Sequence, residues 1–176
     1  MSVNTIQKIK WFCAWQDEKE EEWLRSMSQK GWHLSSFGLP GIYRFQAGEP
    51  QDYVYRLDYQ IHKKKGQQDY LQLFSDAGWE HLGQISSWHY FRKKAREGEV
   101  LEIFTDTESK VMKYKRLLAY SAFFFVFWIA VFSHNILGDF PYSWWNIIRA
   151  FYLLVTGGLT YGIIKLMLRI RQLRRL

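Results

Sequence analysis

Two kinds of hydrophobic pattern divide the chain. From Leu117 to Leu137 it reads LLAYSAFFFVFWIAVFSHNIL, with no formal charge and a continuously apolar centre. About 20 helical residues span the hydrocarbon core of a bilayer, so a transmembrane helix is predicted over 117–137. A second stretch, 145–167, reads WNIIRAFYLLVTGGLTYGIIKLM. Its Arg149 and Lys165 lie near its ends, where long basic side chains reach the interface. Gly138-Asp139-Phe140-Pro141 is a turn signal between the two. The expected arrangement is a membrane hairpin with a short external loop at 138–144 and a basic tail at 168–176. The competing reading, two core helices of a soluble bundle, fits poorly with this length, aromatic density and clustering of basic residues at the ends.

Before residue 113 the apolar positions recur with shorter periods, and they recur twice. Trp23 and Tyr70, Gly31 and Gly78, Trp32 and Trp79, and Tyr43 and Tyr90 are each 47 residues apart. In the first copy Asp17 is placed to N-cap a helix, with Glu20 three residues on as in a capping box. Trp23, Leu24 and Met27 form its stripe, and Gly31 suits its end. In the second copy Tyr70, Leu71, Phe74 and Ala77 form the stripe before Gly78. Three strands are expected after each glycine: 32–37, 41–46 and 52–59, then 79–85, 88–93 and 99–105. A leading strand is expected at 9–15, and Lys63-Lys64-Lys65-Gly66 in a solvated inter-repeat loop. The fold class is α+β: two tandem αβββ repeats, about 17–59 and 68–106, forming an antiparallel sheet with helices on one face. This domain, 1–108, precedes a basic juxtamembrane helix at 109–116 and the hairpin. Thr105 and Glu108 have capping-box spacing, so one helix is expected to run from the domain into the first span and couple the two rigidly.

Charge sharpens this topology. The net charge of +7 is unevenly spread. Residues 1–112 carry 15 Lys/Arg against 16 Asp/Glu, whereas residues 113–176 carry 9 against Asp139 alone. The basicity belongs to the flanks of the apolar stretches, which argues for a lipid bilayer and against nucleic acid. Lys113, Arg116, Arg169 and Arg171 are placed at the cytoplasmic interface, and Trp144 and Trp145 at the outer one. Localisation in the cell (inner) membrane follows, multi-pass, with both termini cytoplasmic. The N-terminus has no apolar run of a cleavable signal peptide. Gly158 and Gly162 offer a small-residue face, used against the first span or for a homodimer.

Chemistry is sparse. The single cysteine, Cys13, cannot form an internal disulfide and reads as an inert core thiol. The five histidines are scattered and lack metal-ligand spacing. No P-loop, GxGxxG or GxSxG occurs, so no cofactor and no catalytic constellation is expected. What stands out is aromatic density beyond ordinary packing needs. Trp and Tyr suit pockets and interfaces because they join an apolar body to a polar tip. Trp32, Tyr43, Tyr53, Tyr55, Trp79, Trp88 and Tyr90 are therefore candidate ligand-binding residues, with Arg44, Arg56 and Asp58 as polar groups. For these three, a surface ion pair is the plainer reading. Two functions compete: a membrane-tethered, non-enzymatic sensor or regulatory module binding an amphipathic small molecule or a protein partner, and an accessory subunit of a membrane transporter or envelope-stress complex.

Several segments carry a family resemblance: Glu22-Trp23-Leu24-x-x-Met27-x-x-x-Gly31-Trp32-x-Leu34, Tyr43-x-Phe45, Tyr53-x-Tyr55-Arg56-x-Asp58, Asp76-x-Gly78-Trp79-Glu80, Tyr90-Phe91-Arg92 and Phe104-Thr105-Asp106-x-x-Ser109-Lys110. Together they resemble the bacterial domain of unknown function 2812. The resemblance implies a cytoplasmic domain often followed by transmembrane helices, encoded beside PadR-type transcriptional regulators, in a regulated, envelope-linked role. It implies no reaction and no site.

Overall fold

The computed structural model describes residues 4–61, 64–96, 98, 102–103, 107–137 and 145–175. The chain divides into two units, Met1–Thr105 and Asp106–Leu176. In the first, the elements are β1 (Thr5–Ile9), α1 (Asp17–Ser28), β2 (Trp32–Gly38), β3 (Ile42–Ala47), β4 (Tyr53–Tyr59), α2 (Lys64–Asp76), β5 (Glu80–Ile85) and β6 (Trp88–Lys94). The second holds α3 (Thr107–Leu137) and α4 (Trp145–Leu173).

The α+β class and the duplication are both present, and strand pairing defines the repeat. Two antiparallel three-stranded sheets form, ordered β1-β3-β2 and β4-β6-β5. Each repeat is therefore βαββ, with its leading strand paired to its last, and the strands close into two sheets rather than one. The fold repeats down to its irregularities. A bulge falls between Leu34 and Ser36 in β2 and between His81 and Gly83 in β5, 47 residues on. Gly31 and Gly78 both end a helix at φ +80°, a conformation glycine adopts without a Cβ penalty.

Register exposes one difference. Gly38 pairs with Ile42 across a three-residue turn, whereas Ile85 pairs with Trp88 across a two-residue turn. After the turn the spacing between equivalent residues is 46, not 47. Phe37 faces Tyr43 and Gln84 faces His89, so the structural counterpart of Tyr43 is His89, and that of Tyr90 is Arg44. Because side chains alternate across a strand, this slip by one moves Tyr90 to the face opposite the one its sequence match predicts.

α1 packs against β2 and β4. β4 is an edge strand, and unpaired edge groups need a partner. Glu21 Oε1 accepts the Leu57 N–H at 2.8 Å, and Ser28 Oγ, whose hydroxyl donates to the Arg25 carbonyl at 2.9 Å, accepts the Tyr53 N–H at 3.3 Å. Leu24, Met27, Leu34, Tyr43 and Phe45 of the first repeat share a core with Tyr55, Leu57 and Tyr90 of the second. A second core, Val54, Phe74, Trp79 and Phe91, lies between α2 and the other face of the second sheet.

Several local expectations need correction. The leading strand is 5–9, not 9–15. Lys10 N–H donates to Gly41 O at 2.9 Å, and a turn then closes from Gln16 N–H to Cys13 O. The aromatic run Trp11–Trp15 is thus a loop. Asp17 is the first helical residue rather than the N-cap. Gln16 takes the cap position, and its side chain accepts Cys13 N–H instead of capping the helix. α2 begins at Lys64, inside the segment expected to be a loop; Lys63 lies outside the described residues. The expected strand 99–105 is largely outside them too, and Glu102 and Ile103 are not in a strand.

α3 and α4 are long and apolar enough to cross a membrane, and few residues of their most apolar stretches are buried. Phe123, Val126 and Phe127 on α3 and Ile147, Phe151 and Leu154 on α4 are exposed, which suits lipid contact and not a soluble core. The helices join through Trp128, whose ring stacks on Tyr152 at 5.5 Å and whose Nε1 donates to Thr156 Oγ1 at 3.1 Å. α3 is continuous, so the basic stretch 109–116 and the apolar span belong to one helix of 31 residues.

Candidate functional site

A cavity of about 180 Å³ lies in the first unit, between the repeats. The aromatic loop (Trp11, Phe12, Cys13, Ala14) forms one wall, and the β2–β3 turn (Gly38, Leu39, Gly41) another. The second repeat contributes Leu57, Ile85, Trp88 and Tyr90, and α1 contributes Asp17 and Glu20. Trp11 and Leu39 line it while remaining 69% and 73% exposed, so the cavity opens to solvent between apolar side chains.

At its base is a bridge between the repeats. Glu20, one turn beyond Asp17 on α1, accepts hydrogen bonds at 2.7 Å from both Tyr43 Oη and Tyr90 Oη. Both hydroxyls go to Oε1, and Oε2 accepts none among the described residues. Burial pushes the Glu20 carboxyl above its usual range, the two tyrosine hydrogen bonds offset part of this, and Asp17 adds to it. Burial and then Glu20 raise Tyr43 and Tyr90 well above the tyrosine range, so both stay donors. This geometry exists because Tyr90 faces the first repeat, a consequence of the shorter β5–β6 turn.

The ten aromatic and polar candidates separate. Tyr43, Trp88 and Tyr90 line the cavity; the other seven, exposed Arg44 among them, lie elsewhere. Trp32 packs against the first core and Tyr55 is buried within it. Tyr53 lies edge-on to His33 at 5.5 Å, with the Arg92 guanidinium 4.8 Å from its ring. Trp79 belongs to the second core. Arg56 pairs with Glu21 and Glu102, each at 3.3 Å. Asp58 is buried and accepts the Tyr70 hydroxyl at 2.9 Å. Beside it, His89 Nδ1 and His81 Nε2 are 3.2 Å apart, a contact no spacing rule suggested. Trp11, Phe12 and Glu20 are among the cavity residues that sequence pattern does not reveal: the loop has the composition of a strand, and the inward acid has the spacing of a cap partner. Among the described residues no group of three or more His, Cys, Asp or Glu is placed to hold a metal ion.

In the second unit Gly162 is buried on α4, but Gly158 is exposed and a Cβ there would meet nothing within 4 Å. Arg169 lies 6.0 Å from the Tyr114 ring, which brings the basic end of α4 to the start of α3, near Lys113 and Arg116; Arg171 follows in the last turn of α4. Trp145 opens α4, and Trp144 is outside the described residues.

Fold and site define a duplicated βαββ domain with an aromatic, acid-floored cavity, followed by two apolar helices. The chain belongs to the family "Protein of unknown function (DUF2812)", whose profile matches residues 16–128. The match takes in Glu20, Tyr43 and Tyr90 and runs into α3, but starts after the Trp11–Ala14 wall. No curated protein and no solved structure matches.

Proposed function

We propose that the protein is a membrane-tethered, non-enzymatic sensor or regulatory module whose N-terminal domain binds a small amphipathic molecule in the cavity between its repeats. The observation that carries this is the cavity itself: aromatic walls, an opening flanked by exposed Trp11 and Leu39, and convergent polar groups at one end. Its size favours a ligand below the usual drug-sized range of roughly 300–1,000 Å³ pockets. α3 and α4 are the tether. The basic residues gathered at one end of the hairpin favour both termini on the cytoplasmic side of the inner membrane. Thermal-shift measurement of the full chain in mild detergent, against a panel of small amphipathic molecules of differing charge, tests the reading. A binder should raise the melting temperature with its concentration, and Ala14→Trp, which fills the cavity, should abolish the shift. A panel without any shift, or shifts that survive Ala14→Trp, would overturn it.

An accessory role in a membrane transporter or envelope-stress complex is favoured by one observation. A Cβ at Gly157 or Gly158 would meet nothing within 4 Å, leaving a small-residue face open on α4. Affinity purification in mild detergent should then recover a stoichiometric partner, a second copy or another membrane protein, that Gly158→Leu releases. Its retention would count against this role.

A further inference from the structure

The cavity's electrostatics are one-sided. Glu20, 6% exposed, brings a carboxylate to it, and no basic residue lines it among those described. A buried carboxylate is costly unless a positive partner or several hydrogen bonds compensate it. Glu20 has its two tyrosine bonds on Oε1 alone, leaving Oε2 as an acceptor at the cavity. The aromatic wall already holds one ammonium on another side: Lys10 Nζ lies 5.1 Å from the Phe12 ring and 4.7 Å from that of Trp23. Aromatic faces attract cations through their quadrupole, more strongly where water is excluded.

We infer that the cavity takes a small organic ammonium ion, an apolar body about the size of one ring and a short chain, whose ammonium sits against Glu20 Oε2 while the body packs on Trp88 and Leu57. This rests on the cavity being a ligand site, as proposed above. A free amine fits better than the ammonium of a zwitterionic lipid headgroup, because such a headgroup would bring its phosphate toward Glu20. The inference also accounts for Glu20 being an acid: a glutamine would accept the same tyrosine bonds without a buried charge, but would offer no counter-charge to a ligand.

The test uses the full chain in mild detergent at pH 7.5, titrated with phenethylamine, its neutral analogue 2-phenylethanol, and phenylacetate, with binding read calorimetrically and by tryptophan fluorescence. Phenethylamine should bind at least about tenfold more tightly than 2-phenylethanol, and phenylacetate should not bind, as expected where a buried charge supplies discrimination. Glu20→Gln should weaken phenethylamine by about tenfold or more and leave 2-phenylethanol unchanged. Vesicles of phosphatidylethanolamine should not compete with phenethylamine; competition would overturn the free-amine assignment. Equal binding of amine and alcohol, or amine binding untouched by Glu20→Gln, would overturn the ammonium assignment while the cavity stays a ligand site. If none of the three binds, the ammonium inference falls. If the wider panel also gives no shift, the binding-module reading falls with it.

Discussion

The two repeats build the same scaffold and end it with different chemistry. In the first, Trp23 of α1 meets Tyr43 edge-on at 4.9 Å and Phe45 at 5.6 Å. In the second, Tyr70 of α2 takes the equivalent position against His89 at 5.2 Å and Phe91 at 6.0 Å. Lys10, just past the first leading strand, reaches Trp23, and Asp58 of the second leading strand reaches Tyr70. The helix-facing sides are thus variations on one theme, but the opposite sides are not. On the first sheet that side carries exposed Arg44; on the second it carries buried Tyr55, Leu57 and Tyr90. Duplication supplies the scaffold, and the asymmetry, with Tyr90 turned toward Glu20, supplies the cavity.

The common scaffold predicts matched losses. Phe45 and Phe91 are structural counterparts and both fully buried. Phe45→Ala and Phe91→Ala should each cost about 3–5 kcal/mol in urea unfolding of the full chain. A cost below about 1 kcal/mol for either would mean that the two cores are not equivalent.

The asymmetry predicts an unmatched pair. Tyr90 and Arg44 occupy equivalent places, but only Tyr90 bonds to the buried carboxylate. Tyr90→Phe should cost about 1.5–3 kcal/mol, the range for a hydrogen bond to a charged group. Arg44→Ala should fall within about 0.5 kcal/mol of wild type. Similar costs at the two positions would show that the opposite faces are less different than the register implies.

The sequence made the duplication legible because glycines and tryptophans at fixed spacing mark helix ends and strand starts whatever surrounds them. It made the hairpin of helices legible because length and apolarity alone identify candidate spans. The cavity was hidden for two reasons. Trp11-Phe12-Cys13-Ala14-Trp15 has the composition of a buried strand, and only the end of pairing at Lys10 shows it to be a loop. Tyr43 and Tyr90 align at 47 residues, yet the turn between them and their helices is one residue shorter in the second copy, and a count along the chain does not reveal on which face a strand residue falls. Tyr43 and Tyr90 were singled out for being aromatic. What they share, a bond to Glu20, needed the fold.

The polar centres of the two repeats respond to pH in opposite directions. Glu20 is held above its usual range, so the folded protein binds its proton more readily than the unfolded chain does. Its contribution is greatest below pH 4.5 and is lost as pH rises through the folded value. Glu20→Gln should therefore raise the melting temperature at pH 7–8 by a few degrees, at the expense of ligand binding. Burial pushes His81 below its ordinary value of 6.5, so the unfolded chain takes up the proton first. Its contribution is present above about pH 6.5 and is lost as pH falls toward the folded value. His81→Leu installs the residue found at the equivalent Leu34 and should flatten stability across that acid window. Melting curves between pH 4 and 8 read both effects, and identical profiles for wild type and either variant would remove that group from the account.

The smallest expected effect concerns the turn itself. Ser86 opens the two-residue β5–β6 turn at φ 54°, a left-handed conformation that costs an L-residue energy and a glycine little. Its counterpart loop ends in Gly41 at φ +74°, where a Cβ would collide with the Lys10 carbonyl oxygen. The two turns therefore ask for opposite substitutions. Ser86→Gly relieves the strain but adds freedom to the unfolded chain, so its gain should be no more than about 1 kcal/mol. Gly41→Ser should destabilise, because Lys10 is fixed by its own hydrogen bond to the Gly41 carbonyl and cannot give way. If Ser86→Gly instead loses stability, the Ser86 side chain contributes to the turn that sets the register of β6, and Tyr90 owes its orientation to that residue as well as to the length of the loop.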